Sequence, residues 1–232
     1  MNKINLIKVF GLFLFIFTMS SCSSDDSKVE DYGTSTGNYF PLETNNKWWY
    51  VDNNNEVSLM YVGYPTNFNN LLYYYIDDGG DELNVSNWIA QKGASYYQKV
   101  GVTFIPFGDA TIKIDEYETK ILRDDLPVGD VWNGSSPLKV TLLYGGSFQD
   151  LPSSLTYTGT ILERDATEIL GGVTYTQIIK MKMHVIETIN SETTTSDLEY
   201  WFAKDIGIIW ESVTNSFNNE TQTRYLTSFE SN

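Results

Sequence analysis

The 232-residue chain contains very little of the residue types on which disulfides, metal sites and hydrolase triads depend. It has one cysteine, one histidine, six prolines and 15 basic residues. With Cys22 alone, no internal disulfide can form. With His184 alone and no Gly-x-Ser-x-Gly turn, neither a histidine-rich metal site nor a serine triad on such a turn is expected. The sequence therefore predicts a non-enzyme with no catalytic residue, metal site or cofactor, and a solvated His184.

The chain also lacks an apolar run long enough to cross a membrane as a helix, which takes about 20 residues. The run Val9–Phe17 is shorter, follows Lys3 and Lys8, and precedes Ser20-Ser21. A positive start, a short apolar stretch and small residues before a cleavage point are the layout of a signal peptide. We therefore expect residues 1–21 to be removed, and the alternative is an uncleaved membrane anchor.

The residues after the apolar run resemble the bacterial lipobox. They read Met19-Ser20-Ser21-Cys22, with Met where that motif usually has Leu. The resemblance implies cleavage before Cys22, a thioether lipid on its sulfur and acylation of the new N-terminus, with palmitate as the expected chain. Because several acyl chains hold a protein stably where one does so only marginally, the expected partner of Cys22 is a membrane.

An acidic stretch follows the cysteine. Ser23-Ser24-Asp25-Asp26-Ser27 resembles the surface-export signal of Bacteroidota lipoproteins, and the Asn- and Tyr-rich composition is similar to that phylum. This implies an outer-membrane anchor with the domain facing outside, while an ordinary acidic spacer remains the alternative. The whole of 22–38 is polar and aperiodic, so it is predicted to be a lipidated N-terminus and flexible linker.

Charge narrows the choice of partners. Removing residues 1–21 takes away two lysines and no acid, which leaves 13 basic and 30 acidic residues and a net charge of −17. Nucleic-acid recognition needs a basic face, so no nucleic acid is expected as a partner. Direct docking on anionic lipid heads is disfavoured for the same reason.

From Tyr39 onward the hydrophobic pattern has a period of two residues, which predicts one antiparallel β domain over 39–232. The clearest strand is Val173–Val185, whose apolar residues, with Gln177, share one face. Its other face carries Lys180, Lys182 and His184 and is predicted to be wet. Turn signals predict about ten to twelve strands, over 47–52, 56–64, 71–76, 83–90, 95–104, 138–144, 155–163, 173–185, 198–203, 208–213 and 222–229.

One stretch, 114–123, fits two structures. Ile114, Tyr117, Ile121 and Leu122 share one helical face, and the same residues fit a strand with a bulge near Asp115. The strand is favoured because its flanks are strands, and the helix stays open.

Two segments resemble the opening and closing elements of bacterial exported lipoproteins of unknown function. Tyr39–Tyr50 matches their Tyr-x-Pro-Leu…Trp-x-Tyr opening, and Tyr200–Ile209 matches their closing element, Tyr-x-Ala-x-Gly-Val-Gly-Leu-Val. Asp205 and Ile206 replace the first Gly and the Val of the closing element. The family is similar to curved-sheet lipoprotein carriers and brings no established activity. The expected fold is all-β, with long antiparallel strands in a curved sheet or half-open barrel and little helix.

Carboxylate pairs raise the possibility of a glycan-acting hydrolase, which needs two acids facing each other across a cleft. The candidate pairs are Asp77-Asp78, Glu116/Glu118 and Asp124-Asp125. The first pair also begins an acidic, Gly-rich stretch that could offer oxygens to calcium, but it lacks EF-hand spacing, and a plain hairpin turn is favoured.

Adjacent aromatics in Trp48-Trp49, Tyr73-Tyr74-Tyr75 and Tyr96-Tyr97 point to both faces of their strands. Some of these rings must lie outside the main core, either exposed for binding or covered by a second layer. The first hypothesis is therefore a non-catalytic binding domain for an apolar ligand or a glycan. The alternatives are a structural or protein-interaction envelope lipoprotein and a glycan-acting hydrolase. The sequence does not identify the ligand or the oligomeric state.

Overall fold

The computed structural model describes residues 32–78, 85–217 and 219–232, so Cys22 and the leader lie outside the described residues. No helix occurs in the described residues, and none there could span a membrane. The described chain forms sixteen strands: β1 Lys47–Asp52, β2 Val57–Phe68, β3 Leu71–Asp77, β4 Asn87–Lys92, β5 Ser95–Val100, β6 Thr103–Phe107, β7 Ala110–Ile114, β8 Tyr117–Arg123, β9 Val131–Ser136, β10 Val140–Tyr144, β11 Ser147–Leu151, β12 Ser153–Leu170, β13 Val173–Ile189, β14 Glu192–Ala203, β15 Gly207–Asn215 and β16 Thr221–Glu230.

Twelve of the strands form one antiparallel sheet in the order β8-β5-β4-β3-β2-β1-β16-β15-β14-β13-β12-β9. The other four form a small sheet in the order β11-β10-β7-β6. The large sheet curves until its two edge strands, β8 and β9, lie side by side. The predicted fold class, an all-β curved sheet or half-open barrel, is confirmed.

Side chains close the gap between the two edge strands. The indole Nε1–H of Trp132 donates to the carbonyl oxygen of Lys120 at 2.9 Å, and the N–H of Lys120 donates to the hydroxyl of Tyr157, also at 2.9 Å. The N–H of Glu118 donates to Ser136 Oγ at 3.1 Å. These contacts, called the seam below, satisfy backbone groups that an edge strand leaves without a ladder partner.

Two glycines make room for the seam. Tyr157 is paired with Gly134 and Trp132 with Gly159 on the neighbouring strands β12 and β9. A Cβ at Gly134 would lie 2.1 Å from the Tyr157 ring, and one at Gly159 would lie 2.1 Å from the Trp132 ring. Each ring therefore lies directly over the glycine opposite it, an arrangement that stabilises a glycine in a strand.

One end of the barrel, called the plugged end, is filled by the described residues before β1, 32–46, called the plug. Tyr39 and Phe40 are buried there, and the N–H of Tyr39 donates to the Tyr96 hydroxyl at 2.9 Å. The opening and closing motifs also meet inside the barrel. The Trp48 indole N–H donates to the carbonyl of Ile206 at 2.6 Å, and the Tyr50 hydroxyl donates to that of Ile208 at 2.9 Å.

The small sheet is attached at the opposite end of the barrel, called the mouth. β6 and β7 are inserted between β5 and β8, and β10 and β11 between β9 and β12. Ile112, Ile114 and Leu151 of the small sheet pack against the main core, whereas Tyr144 and Phe148 are largely exposed. The small sheet therefore packs against the barrel with one part of its surface and exposes rings on another.

Several sequence expectations need correction. The described residues form sixteen strands rather than ten to twelve, because β7, β9 and β11 were not predicted and 95–104 divides into β5 and β6 in different sheets. The stretch 114–123 is β-strand, so the helical alternative is wrong. It contains the end of β7 and all of β8, separated by a break at 115–116 rather than a bulge.

The long strand β13 follows its predicted alternation only in part. Met181 and Met183 are buried and Lys182 and His184 exposed, as expected. Lys180 lies on the predicted outer face but is buried rather than wet, because Glu163, Glu168 and the Trp201 ring pack against it there.

The positive charge of Lys180 is compensated by two carboxylates on the outer face of the barrel. Its Nζ lies 2.6 Å from Glu168, 2.9 Å from Glu163 and 4.4 Å from the centroid of the Trp201 ring. Burial alone lowers the pKa of Lys180, but these two carboxylates raise it to a net value above its usual range.

A second cluster, outside the main core, accounts for part of the aromatic surplus. Tyr73, Ala90 and Tyr97 form its buried centre, and Phe68 and Trp88 pack against it. The Tyr73 hydroxyl donates to Glu118. Rings on the second strand face are thus covered by other side chains here, one of the two outcomes that the sequence left open.

Part of the stretch expected to be a linker is bound to the barrel. The Ser35 hydroxyl and the Thr36 N–H donate to the carboxylate of Asp124 at 2.6 and 3.0 Å. The N–H of Ala94 donates to the carbonyl of Tyr32 at 2.8 Å. Burial raises the pKa of Asp124, although both hydrogen bonds lower it. Residues 32–38 therefore belong to the packed structure at the plugged end.

The seam predicts an unusual response to a small substitution. Gly159→Ala should lower the free energy of unfolding by about 1–3 kcal/mol, because the new methyl group displaces the Trp132 ring. In an ordinary strand position the same change is neutral or stabilising, since glycine loses more conformational entropy on folding than alanine does. The exposed neighbour Thr156→Ala is the control. Urea unfolding that shows Gly159→Ala to be as stable as the parent chain would contradict the seam.

Candidate functional site

The pairing registers place one row of side chains across the inner wall of the barrel. Met181 pairs with Tyr200, Tyr200 with Glu211, Glu211 with Arg224, and Arg224 with Asp52. Because cross-strand neighbours share a face, this row changes from apolar to charged as it approaches the mouth. The candidate site lies where the two kinds of residue meet.

An ion pair occupies the centre of this row. Arg224 Nε lies 2.6 Å from Glu211 Oε1, and Arg224 Nη2 donates to Glu211 Oε2 at 3.2 Å. The guanidinium also stacks on the Tyr50 ring, 4.5 Å from its centroid. The two charged side chains are only 22% and 16% exposed.

The surroundings keep Arg224 charged. Burial by itself lowers the pKa of Arg224, but the Glu211 carboxylate beside it raises the pKa to a net value above its usual range. Burial also raises the pKa of Tyr50 and of Tyr200, so both phenols are neutral at physiological pH. The floor of the site therefore carries one compensated charge pair and two neutral hydroxyl groups.

Below the ion pair, the interior is not completely filled. A cavity of about 90 Å³, called the pit, remains among side chains that the barrel strands and the plug direct inward. Its rim carries Asp78, Asn87, Gln98, Glu211 and Arg224. Its apolar walls are formed by Phe40, Met60, Ile76, Ile89, Ile121, Tyr200, Phe202 and Ile208.

Above the ion pair, the mouth widens into a polar space of about 490 Å³, called the vestibule. Asp78, Glu211 and Arg224 line both the vestibule and the pit. The β1–β2 turn supplies another wall, and Asp52 shapes it by accepting the N–H groups of Asn54 and Glu56 at 2.8 Å each. The other lining residues are Ser58, Val213, Gln222 and Thr223.

The catalytic and metal-binding candidates of the sequence do not come together in one site. His184 lies on the outer face of the barrel, with its Nδ1 2.7 Å from Asp197 Oδ1. Among the described residues, no group of three or more His, Cys, Asp or Glu side chains is placed to hold a metal ion. Cys22, the predicted lipidation site, lies outside the described residues.

The acids of the three predicted carboxylate pairs have separate partners in the structure. Asp77 accepts the Tyr61 hydroxyl at 2.8 Å while Asp78 lines the pit, and Glu116 binds Lys99 at 3.1 Å. Asp124 holds the plug segment, and Asp125 binds Arg123 at 2.8 Å. Arg123 holds the pKa of Asp125 below its usual range despite partial burial. Asp78 and Glu211 do share the pit, but Glu211 is already the counter-ion of Arg224.

Sequence reasoning missed Glu211, Arg224, Tyr50 and Tyr200 as site residues. One signal in the sequence could have identified Arg224. It lies two residues before Leu226 on the last strand, so both side chains share the inward face. A charged residue at an inward position must be paired, and this points to a partner on a neighbouring strand. The register that brings Glu211 beside it is not visible in the sequence, because β15 carries a bulge.

Comparison with known proteins gives similarities to solved structures alone. No protein-family model matches the sequence, and no curated protein matches it. Among solved structures, the chain is similar to a protein of Parabacteroides distasonis named as an inferred lipoprotein. The TM-score is 0.47 and the identity 12%, over 83% of this chain and 98% of that one.

Two further structures show weaker similarity. One is an inferred exported protein of Bacteroides fragilis with a YmcC-like fold, with a TM-score of 0.41 and 12% identity over 83% and 98% of the two chains. The other is the hypothetical lipoprotein YmcC of Escherichia coli, with a TM-score of 0.36 and 11% identity over 79% and 84%.

The buried ion pair makes a measurable prediction. Arg224→Met should lower the free energy of unfolding by about 2–4 kcal/mol, because Glu211 is left largely desolvated without its counter-ion. Adding Glu211→Gln should recover part of that loss, which a double-mutant cycle measures. Lys47→Met breaks the exposed pair with Glu230 and should cost at most about 1 kcal/mol. Strictly additive effects at 211 and 224 would show that the two residues are not coupled.

Proposed function

We propose that this chain is a lipid-anchored protein of the bacterial cell envelope, held at the outer membrane through Cys22, that binds a small ligand with an apolar end. The anchor is supported by the leader and the lipobox-like Met19-Ser20-Ser21-Cys22. The binding role rests on one observation, the apolar pit that opens into the vestibule at the mouth of the barrel. Pockets that join apolar walls to a few convergent polar groups are the usual ligand sites of proteins.

The described residues before β1 leave the vestibule uncovered. The first of them, Tyr32, is hydrogen-bonded to Ala94 in the β4–β5 turn, at the opposite end of the barrel from Asn87 and the mouth. None of the residues that line the vestibule comes from this segment.

The mechanism of binding is burial followed by polar orientation. An apolar group that enters the pit leaves water, which contributes about 0.8 kcal/mol for each methylene. The paired Arg224 and Glu211 stay hydrogen-bonded to each other, so their desolvation is already compensated when the ligand arrives. The polar end of the ligand would lie among the carboxylates, amides and hydroxyls of the vestibule.

A second function is favoured by a different feature. In the small sheet, Phe104 is 52%, Tyr144 61% and Phe148 79% exposed. Exposed aromatics on a sheet that projects from the mouth are typical of a protein-contact surface. An envelope protein that holds a partner through this sheet is therefore the alternative to ligand binding.

The pit can be tested with 1-butanol as a neutral probe. In the full chain in lipid nanodiscs, labelled with ¹³C-methyl methionine, the Met60 signal should shift on titration because Met60 lines the pit. The signal of Met183, which is not among the residues that line the pit, should stay unchanged. Ile89→Phe fills the pit and should weaken binding about tenfold or more, whereas the exposed Ile169→Phe should not. If Met60 does not respond to the alcohol in the parent chain, the binding proposal fails.

The anchor has its own test. In cells fed an alkyne analogue of palmitate, the parent chain and Ser23→Ala should carry the label and sediment with the outer membrane. Cys22→Ala should carry none and should not be processed at this position, because the acceptor sulfur is absent. An unlabelled parent chain would refute lipid attachment.

A further inference from the structure

The pit limits the apolar part of a ligand to a short group. An apolar cavity of about 150 Å³ holds one benzene molecule, and the pit, at about 90 Å³, is smaller. An acyl chain or sterol cannot be enclosed in this space. A ligand that uses the pit must therefore keep most of its other atoms in the vestibule, so the chemistry of the vestibule selects it.

The vestibule has a strong excess of negative charge. Four carboxylates line it, from Asp52, Glu56, Asp78 and Glu211. The only cationic side chain among its described lining residues is Arg224, and that guanidinium is already bonded to Glu211. An anionic group placed above the pit would meet three carboxylates that Arg224 does not neutralise, at an unfavourable Coulomb energy.

The geometry points to a specific ligand class: an organic cation that carries a short apolar group beside a protonated amine. The apolar group would occupy the pit and the ammonium would lie among Asp52, Glu56 and Asp78. This inference rests on the binding role proposed above and narrows it. A free amine and a peptide with an apolar residue next to a positive charge share this chemistry.

Three probes with the same butyl group separate charge from burial: butylammonium, 1-butanol and pentanoate. With the Met60 methyl signal as readout, butylammonium should bind about tenfold more tightly than pentanoate at low salt, with 1-butanol between them. In about 1 M salt the difference should largely disappear, since charges are then screened within about 3 Å. A lysine-free tripeptide with an N-terminal leucine tests the peptide source, and its N-acetylated form is the control.

Matched variants assign the preference to the vestibule. Glu56→Gln with Asp78→Asn should reduce the ratio of butylammonium to pentanoate affinity severalfold, because two of the three uncompensated carboxylates are then neutral. Glu43→Gln with Glu230→Gln removes the same charge from residues outside the site and should leave the ratio unaltered.

The outcomes distinguish the two proposals. Pentanoate binding as tightly as butylammonium, or an equal loss of preference in both double variants, overturns the ligand class while 1-butanol binding still supports the pit. Failure of all three probes to shift Met60 overturns both. A response to the tripeptide but not to butylammonium assigns the site to a peptide.

Discussion

The structure depends on how the twelve-stranded sheet satisfies the unpaired backbone groups of its two edge strands, β8 and β9. Edge strands expose unpaired N–H and C=O groups, and a sheet left open would also expose its inner wall. Here Trp132 and Tyr157 carry polar groups at the ends of large rings, and both reach the backbone of Lys120. The rings can do so only because glycine stands opposite each of them. The closed interior, and with it the pit, follows from these contacts.

Inside the barrel, aromatic and aliphatic side chains fill most of the space, and the plug closes one end. Aromatic rings with polar tips suit such an interior, because Trp48 and Tyr50 can bury their rings and still bond to the carbonyls of Ile206 and Ile208. The ion pair between Arg224 and Glu211 lies at the boundary between the apolar interior and the solvent-filled mouth. Its position separates an apolar pit from an acidic vestibule, and this division gives the proposed site its selectivity.

The sequence contained the information for the general fold but not for the site. Period-two alternation predicts β12, β13 and β16 because each strand has one buried face. The strand β9 was not among the predicted strands, because Asn133, Gly134 and Ser135 carry no apolar alternation, and its position is fixed by the pairing of Trp132 with Gly159. The site depends on registers and bulges, which place Glu211 beside Arg224 across two strands. A single sequence does not determine such registers when the pattern shifts at a bulge.

The most direct test of the structure is amide hydrogen exchange at Lys120, whose N–H is bonded to the Tyr157 hydroxyl across the seam. The Lys120 amide should be protected as strongly as the ladder amides of β5. In Tyr157→Phe it should exchange much faster, while Thr119, whose N–H points to the opposite side of β8, keeps its protection. Rapid exchange of Lys120 in the parent chain would contradict a barrel closed by side chains.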